Sequence, residues 1–144
     1  GAACDGGLAG RGRLARTGRP GPVAGGSGRS QGSERTRPCI DFSHLHAGTL
    51  GVWSGYDDFI ALFVTLRAAL GADALDDLHM QVAGIEYGKT GEKRHLPFLD
   101  PRSTLPWKDL LRALKDAKVG GQLVAESPIG EQDAILLRDT YRTL

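Results

Sequence analysis

Pro38-Cys39-Ile40-Asp41-Phe42 is a short apolar run with an acidic residue near its end, and the pattern that it opens decides the fold. A loop carrying Gly48, Gly51 and Gly55 leads into a helical pattern over 57–70. There Phe59, Leu62, Phe63, Leu66 and Leu70 recur at helical spacing and form one buried stripe. Asp57 and Asp58 suit the positive start of that helix, and Gly71 suits its end. The same unit then repeats. A second strand is centred on Leu78-His79-Met80-Gln81-Val82, a polar loop spans 86–103, and a helix begins near Pro106 with Trp107, Leu110, Leu111 and Leu114 on one face. A third strand, Gln122-Leu123-Val124-Ala125-Glu126, is broken by Ser127-Pro128 and followed by a helix over 131–142. Strand starts recur about every 40 residues, which is the rhythm of parallel strands joined by helical crossovers. The fold class expected is α/β. Three such units form either an open parallel sheet or three-eighths of a TIM barrel, whose full form needs about 250 residues.

The chain has 144 residues and a net charge of +1, but the charge is unevenly spread. Residues 1–37 carry seven Arg against Asp5 and Glu34, a net +5, which leaves the rest at −4. They hold eleven Gly and only Leu8, Leu14 and Val23 as larger apolar residues. Such a segment cannot bury enough surface to offset its ordering entropy. It is expected to be disordered or artefactual. A basic arm, a flexible linker and a frameshifted translation corrected near Arg37 are the three readings of it. Residues 38–144 are taken as the folded domain. Two cysteines, Cys4 and Cys39, argue against a disulfide framework, and Cys39 is expected to be a buried small hydrophobe. No run of 18 apolar residues and no signal-peptide core is present, so a soluble cytoplasmic protein without membrane contact is expected.

In parallel α/β folds chemistry gathers beyond the C-terminal strand ends. Asp41, His79 and Glu126 lie at or near three successive ends. Adjacent strands are about 4.8 Å apart, so side chains leaning inward from them can share one cation. Carboxylate and imidazole together suit zinc or manganese. Each residue also has a plain structural reading. Asp41 could cap the next segment, His79 could be a hydrogen-bonded core histidine, and Glu126 could be a solvated strand end. His44, in Asp41-x-x-His44, and His95 add two further imidazoles, while His46 reads as a loop residue. Lys89, Lys93 and Arg94 form a basic run on the same rim. It is either a solvated face or a set of phosphate contacts.

Pro38-Cys39-Ile40-Asp41-Phe42-Ser43-His44-Leu45-His46-Ala47 resembles the C-I-D-x-x-H segment of the endonuclease IV family. Gly84-Ile85-Glu86-Tyr87-Gly88, Gly91-Glu92-Lys93-Arg94-His95-Leu96-Pro97 and Glu126-Ser127-Pro128 resemble that family's xylose isomerase-like barrel. The resemblance covers about residues 37–144 and implies the C-terminal part of a TIM barrel. It implies a zinc-dependent nuclease that cuts DNA 5′ to abasic sites in repair. Asp41, His79 and Glu126 would serve one zinc site, and His44 and His95 another, with Glu126 as the catalytic carboxylate. Lys89, Lys93 and Arg94 would contact DNA. The family usually places an aspartate two residues before the histidine that matches His95. Lys93 stands there, with Glu92 one step further back, which implies a weakened or remodelled third site. The family's earlier histidine ligands belong to its first five strands, and residues 1–37 supply none of them. A sugar isomerase of the same superfamily and an inactive fragment are the alternatives.

Overall fold

The computed structural model describes residues 38–144. The expectations of disorder or artefact for residues 1–37 lie outside the described residues. The described part is a mixed α/β unit, with helices packed on a small parallel sheet.

Strand β1 (Cys39–Asp41) runs into a short helix α1 (Phe42–Gly48), then the long helix α2 (Tyr56–Leu70). Strand β2 (Leu78–Val82) is followed by a hairpin of β3 (Gly84–Gly88) and β4 (Gly91–Leu96). Helix α3 (Trp107–Asp116), strand β5 (Gly121–Ala125) and helix α4 (Gly130–Thr143) complete the order. Strands β1, β2 and β5 pair in parallel, with β2 in the middle. Gly121 opens β5 at φ +112°, and a Cβ there would collide with the Leu78 carbonyl oxygen, so only glycine lets the two strands meet.

Side chains alternate across the sheet. Leu78, Met80 and Val82 are buried, whereas His79 and Gln81 between them are half-buried. The buried set joins Phe42, Phe59 and Phe63 with Leu110, Leu111, Leu114 and Leu137 in one core. Helix α3 packs against both α2 and α4, so the three long helices lie side by side in chain order on one face of the sheet. The other face carries Cys39, Asp41, His79, Gln81, Gln122 and Val124, among which Val124 is 39 % exposed.

Two side-chain ties fix the end of the sheet where the strands finish. The buried Ser43 hydroxyl donates to the Ala83 carbonyl (2.9 Å) and accepts from the Ala83 N–H (2.6 Å), which pins α1 to the end of β2. The buried Asp133 of α4 accepts from the Phe98 N–H (3.1 Å), which pins the chain after β4.

Four expectations need correction. The loop expected after the first strand begins as helix α1, because Asp41 caps it and Phe42, Ser43, His46 and Ala47 bury one side of it. The loop over 86–103 contains the antiparallel hairpin, which turns through Lys89 and Thr90 with Gly91 at φ +104°. Cys39 is exposed, since alternation places it on the face away from the helices; its thiol lies 4.0 Å from Gln81 Oε1. His46 is a buried helical residue rather than a loop residue. Its Nδ1 donates to the Trp53 carbonyl (2.6 Å), its Nε2 lies 3.1 Å from the Thr104 hydroxyl, and its ring stands edge-on to Tyr87.

Candidate metal centre

Helix α1 sets the first half of the site. Asp41 is its N-cap, and one carboxylate oxygen accepts from the His44 N–H at 2.9 Å. The other oxygen accepts from His44 Nδ1. A carboxylate only accepts at neutral pH, so Nδ1 carries the hydrogen and Nε2 is turned outward. Outward lies Glu92, with its Oε2 2.6 Å from His44 Nε2.

Strand β4 sets the second half. His95 Nδ1 lies 3.1 Å from the backbone carbonyl of Glu126, just past β5. A carbonyl also only accepts, so Nδ1 carries the hydrogen, and in the neutral ring Nε2 keeps its lone pair. That atom is buried and has no hydrogen-bond partner. It lies 3.4 Å from Glu92 Oε1, and the two imidazole rings stand 5.3 Å apart. One ligand atom from each of His44, Glu92 and His95 can be chosen so that all three lie within 4.8 Å of one another.

Electrostatics makes this arrangement informative. With both rings neutral, two imidazole lone pairs and a carboxylate, all acceptors, converge on one spot, and such a spot favours a positive charge. A proton can supply it, and so can a divalent cation. Burial alone lowers the affinity of His44 for a proton. The hydrogen bond and charge of Asp41, with Glu92 behind them, outweigh that and raise its pKa above 6.5. Because the folded value is raised, protonated His44 contributes stability below pH 6.5 that fades as pH rises through the folded value. Cation binding, which needs the ring neutral, takes the opposite course and strengthens with rising pH. Titration of the His44 ring by NMR is expected to give a pKa above 6.5, and Asp41→Asn is expected to lower it. An unchanged value in that variant would mean Asp41 does not set the ring's charge.

The residues singled out from sequence are thus divided. Asp41, His44, His95 and the backbone of Glu126 are brought together. His79 pairs in register with Cys39 and Gln122, two residues before the strand level of Asp41, and is not part of the His–Glu–His cluster. The Glu126 carboxylate is not part of it either. Lys93 and Arg94 are exposed, and each lies 3.3 Å from a carboxylate oxygen of Glu86. Lys89 is exposed in the hairpin turn. Glu92 was legible only as a misplaced acid, because its distance from His95 in the sequence hides their common face.

Fold and site together define an α/β protein with a histidine–carboxylate cluster beside the C-terminal ends of its parallel strands. An uncharacterized protein of Methanocaldococcus jannaschii is 44 % identical over 107 residues, which are 74 % of this chain and 38 % of the relative. The chain therefore spans well under half of that relative's length. No family model matches the chain. No solved structure matches it. Among the described residues no helix is long and apolar enough to cross a membrane.

Proposed function

We propose that residues 38–144 are three consecutive βα units of a xylose isomerase-like TIM barrel and form part of a zinc- or manganese-dependent nuclease of the endonuclease IV type, acting on DNA at abasic sites. The barrel reading is supported by the winding. A doubly wound sheet places helices on both faces, whereas here all three long helices share one face and run in the strand order. The face without them carries the polar residues Asp41, His79, Gln81 and Gln122, as the lumen side of a barrel rim does.

The observation that carries the chemistry is the buried Nε2 of His95, which makes no hydrogen bond and faces Glu92 beside His44. Two imidazoles and one carboxylate are the donor set of a catalytic zinc with room for water or substrate. When bound, a divalent cation there would polarise a phosphodiester oxygen and make water acidic enough to attack near neutral pH. This chain's own part is to hold the donors. Asp41 and the Glu126 carbonyl fix both rings with Nε2 facing Glu92, and Ser43 anchors the helix that carries His44. Lys89, Lys93 and Arg94 lie on the same hairpin as Glu92 and His95 and are the proposed phosphate contacts.

The test is incision of a duplex bearing one abasic site, with zinc or manganese added, by this protein and by the full-length Methanocaldococcus jannaschii relative. Metal-dependent incision by the relative, lost on chelation, is the expected result. Interconversion of an aldose and a ketose without incision would point to the isomerase alternative. Absence of both would remove the proposal.

A further inference from the structure

We infer that Lys93 is a one-residue register device that turns Glu92 into a ligand of the cation site; the inference rests on the cation-site reading above. In a regular strand alternate side chains share a face. Glu92 and His95, three residues apart, would then point to opposite faces. The carboxylate able to meet His95 would have to stand at position 93, which is a lysine.

The hairpin resolves this by a bulge. Ile85 pairs with His95 and Glu86 with Arg94, but Tyr87 pairs with Glu92, so Lys93 is the extra residue. Ile85 and Tyr87 share a face of β3. Glu92, opposite Tyr87, is therefore returned to the face of His95. The distances agree, since the two Glu92 oxygens lie 2.6 Å from His44 Nε2 and 3.4 Å from His95 Nε2. Bulges are known to re-aim side chains beside functional sites.

The bulge is also held from behind. Glu86 accepts from Lys93 Nζ at 3.3 Å, and its other oxygen lies 3.3 Å from Arg94 Nε without a hydrogen bond, so one carboxylate faces both the extra residue and its neighbour. Lys93 crosses Gly88 so closely that a Cβ there would lie 2.8 Å from Lys93 Cε. Gly88 thus leaves room for the lysine stem. The ligand class is a divalent cation that accepts two imidazoles and one carboxylate, with zinc or manganese as the probe.

Cation binding by the full chain, read by isothermal titration with zinc and by the visible absorption of cobalt(II), separates the possibilities. Wild type is expected to bind and Glu92→Gln to weaken binding by at least about 100-fold, the upper range seen for outer-shell changes. The double variant Glu92→Gln/Lys93→Glu moves the carboxylate to the position that a regular strand would require. The bulge reading expects it to be as weak as Glu92→Gln. Deletion of Lys93 leaves Glu92 two residues before the histidine in an unbulged strand, and is expected to bind within about 10-fold of wild type. Wild-type affinity in the double variant, or loss of binding in a folded deletion variant, overturns the inference and leaves the cation site standing. Absence of binding in wild type overturns both.

Discussion

Phe42→Ala is expected to destabilise the protein by roughly 3–5 kcal/mol, the usual cost of deleting a large buried aromatic. Phe42 is the first residue of α1 and is fully buried. Its ring meets Phe59 at 5.9 Å and Phe63 at 6.2 Å, both edge-on, the arrangement that aromatic quadrupoles favour. Phe59 and Phe63 belong to α2, so one side chain joins the strand end, the short helix and the helical layer. A cavity at that junction cannot close by moving one element, because Ser43 next in sequence is fixed to Ala83 on both sides of its hydroxyl. Domains of this size have about 5–15 kcal/mol to lose, so the variant should unfold at a much lower urea concentration. Phe42→Leu, which leaves a smaller void, should lose less. A loss below about 1 kcal/mol for the alanine variant would mean that α1 is not coupled to the core in this way.

The same residues show how much of the fold the sequence carries. The three parallel strands and three long helices are legible because each turns an apolar face to the core, which writes a period of two or of 3.6 into the chain, although the stripe expected in α2 stops short of Leu70, which is 56 % exposed. The hairpin is not legible for the same reason. Strand β4 reads Gly-Glu-Lys-Arg-His-Leu and is buried only at Leu96, so it has no apolar alternation to read. Helix α1 is hidden by its shortness and by the glycines around it. What stabilises it is the Asp41 cap and the packing of Phe42 and Ala47, and tertiary contacts do not appear in a local pattern.

The site obeys the same rule. His44, His95 and Asp41 were legible as residue types near strand ends. Strand register was not, since it depends on loop geometry; it puts His79 opposite Cys39 rather than opposite Asp41. Asp41 itself serves as helix cap and as the hydrogen-bond partner of His44, which occupies both carboxylate oxygens. It is better described as the group that orients His44 than as a member of the His–Glu–His cluster. Glu92 lay outside the expected set because no local rule marks a bulge.

His95→Leu is expected to abolish cation binding and yet leave the cation-free protein about as stable as before. The histidine gives the cation-free protein little. Its Nδ1 has one hydrogen bond, to the Glu126 carbonyl, and such a bond contributes about 0.5–1.5 kcal/mol. Its buried Nε2 has no hydrogen-bond partner, which costs about 1–3 kcal/mol of desolvation. Leucine of similar size removes both, so the two effects oppose and the net change should stay within about 1 kcal/mol. The loaded protein behaves differently. A cation present at about 100 times its Kd adds about 2.7 kcal/mol to wild type, which for a domain of this size raises Tm by roughly 10 °C. That rise should vanish in the leucine variant. Thermal melts with and without zinc read both quantities in one experiment. If zinc still raises the variant's Tm, the cation does not sit on His95. If the variant is instead several kcal/mol less stable without zinc, His95 is a structural residue and its contact with Glu92 stabilises the fold.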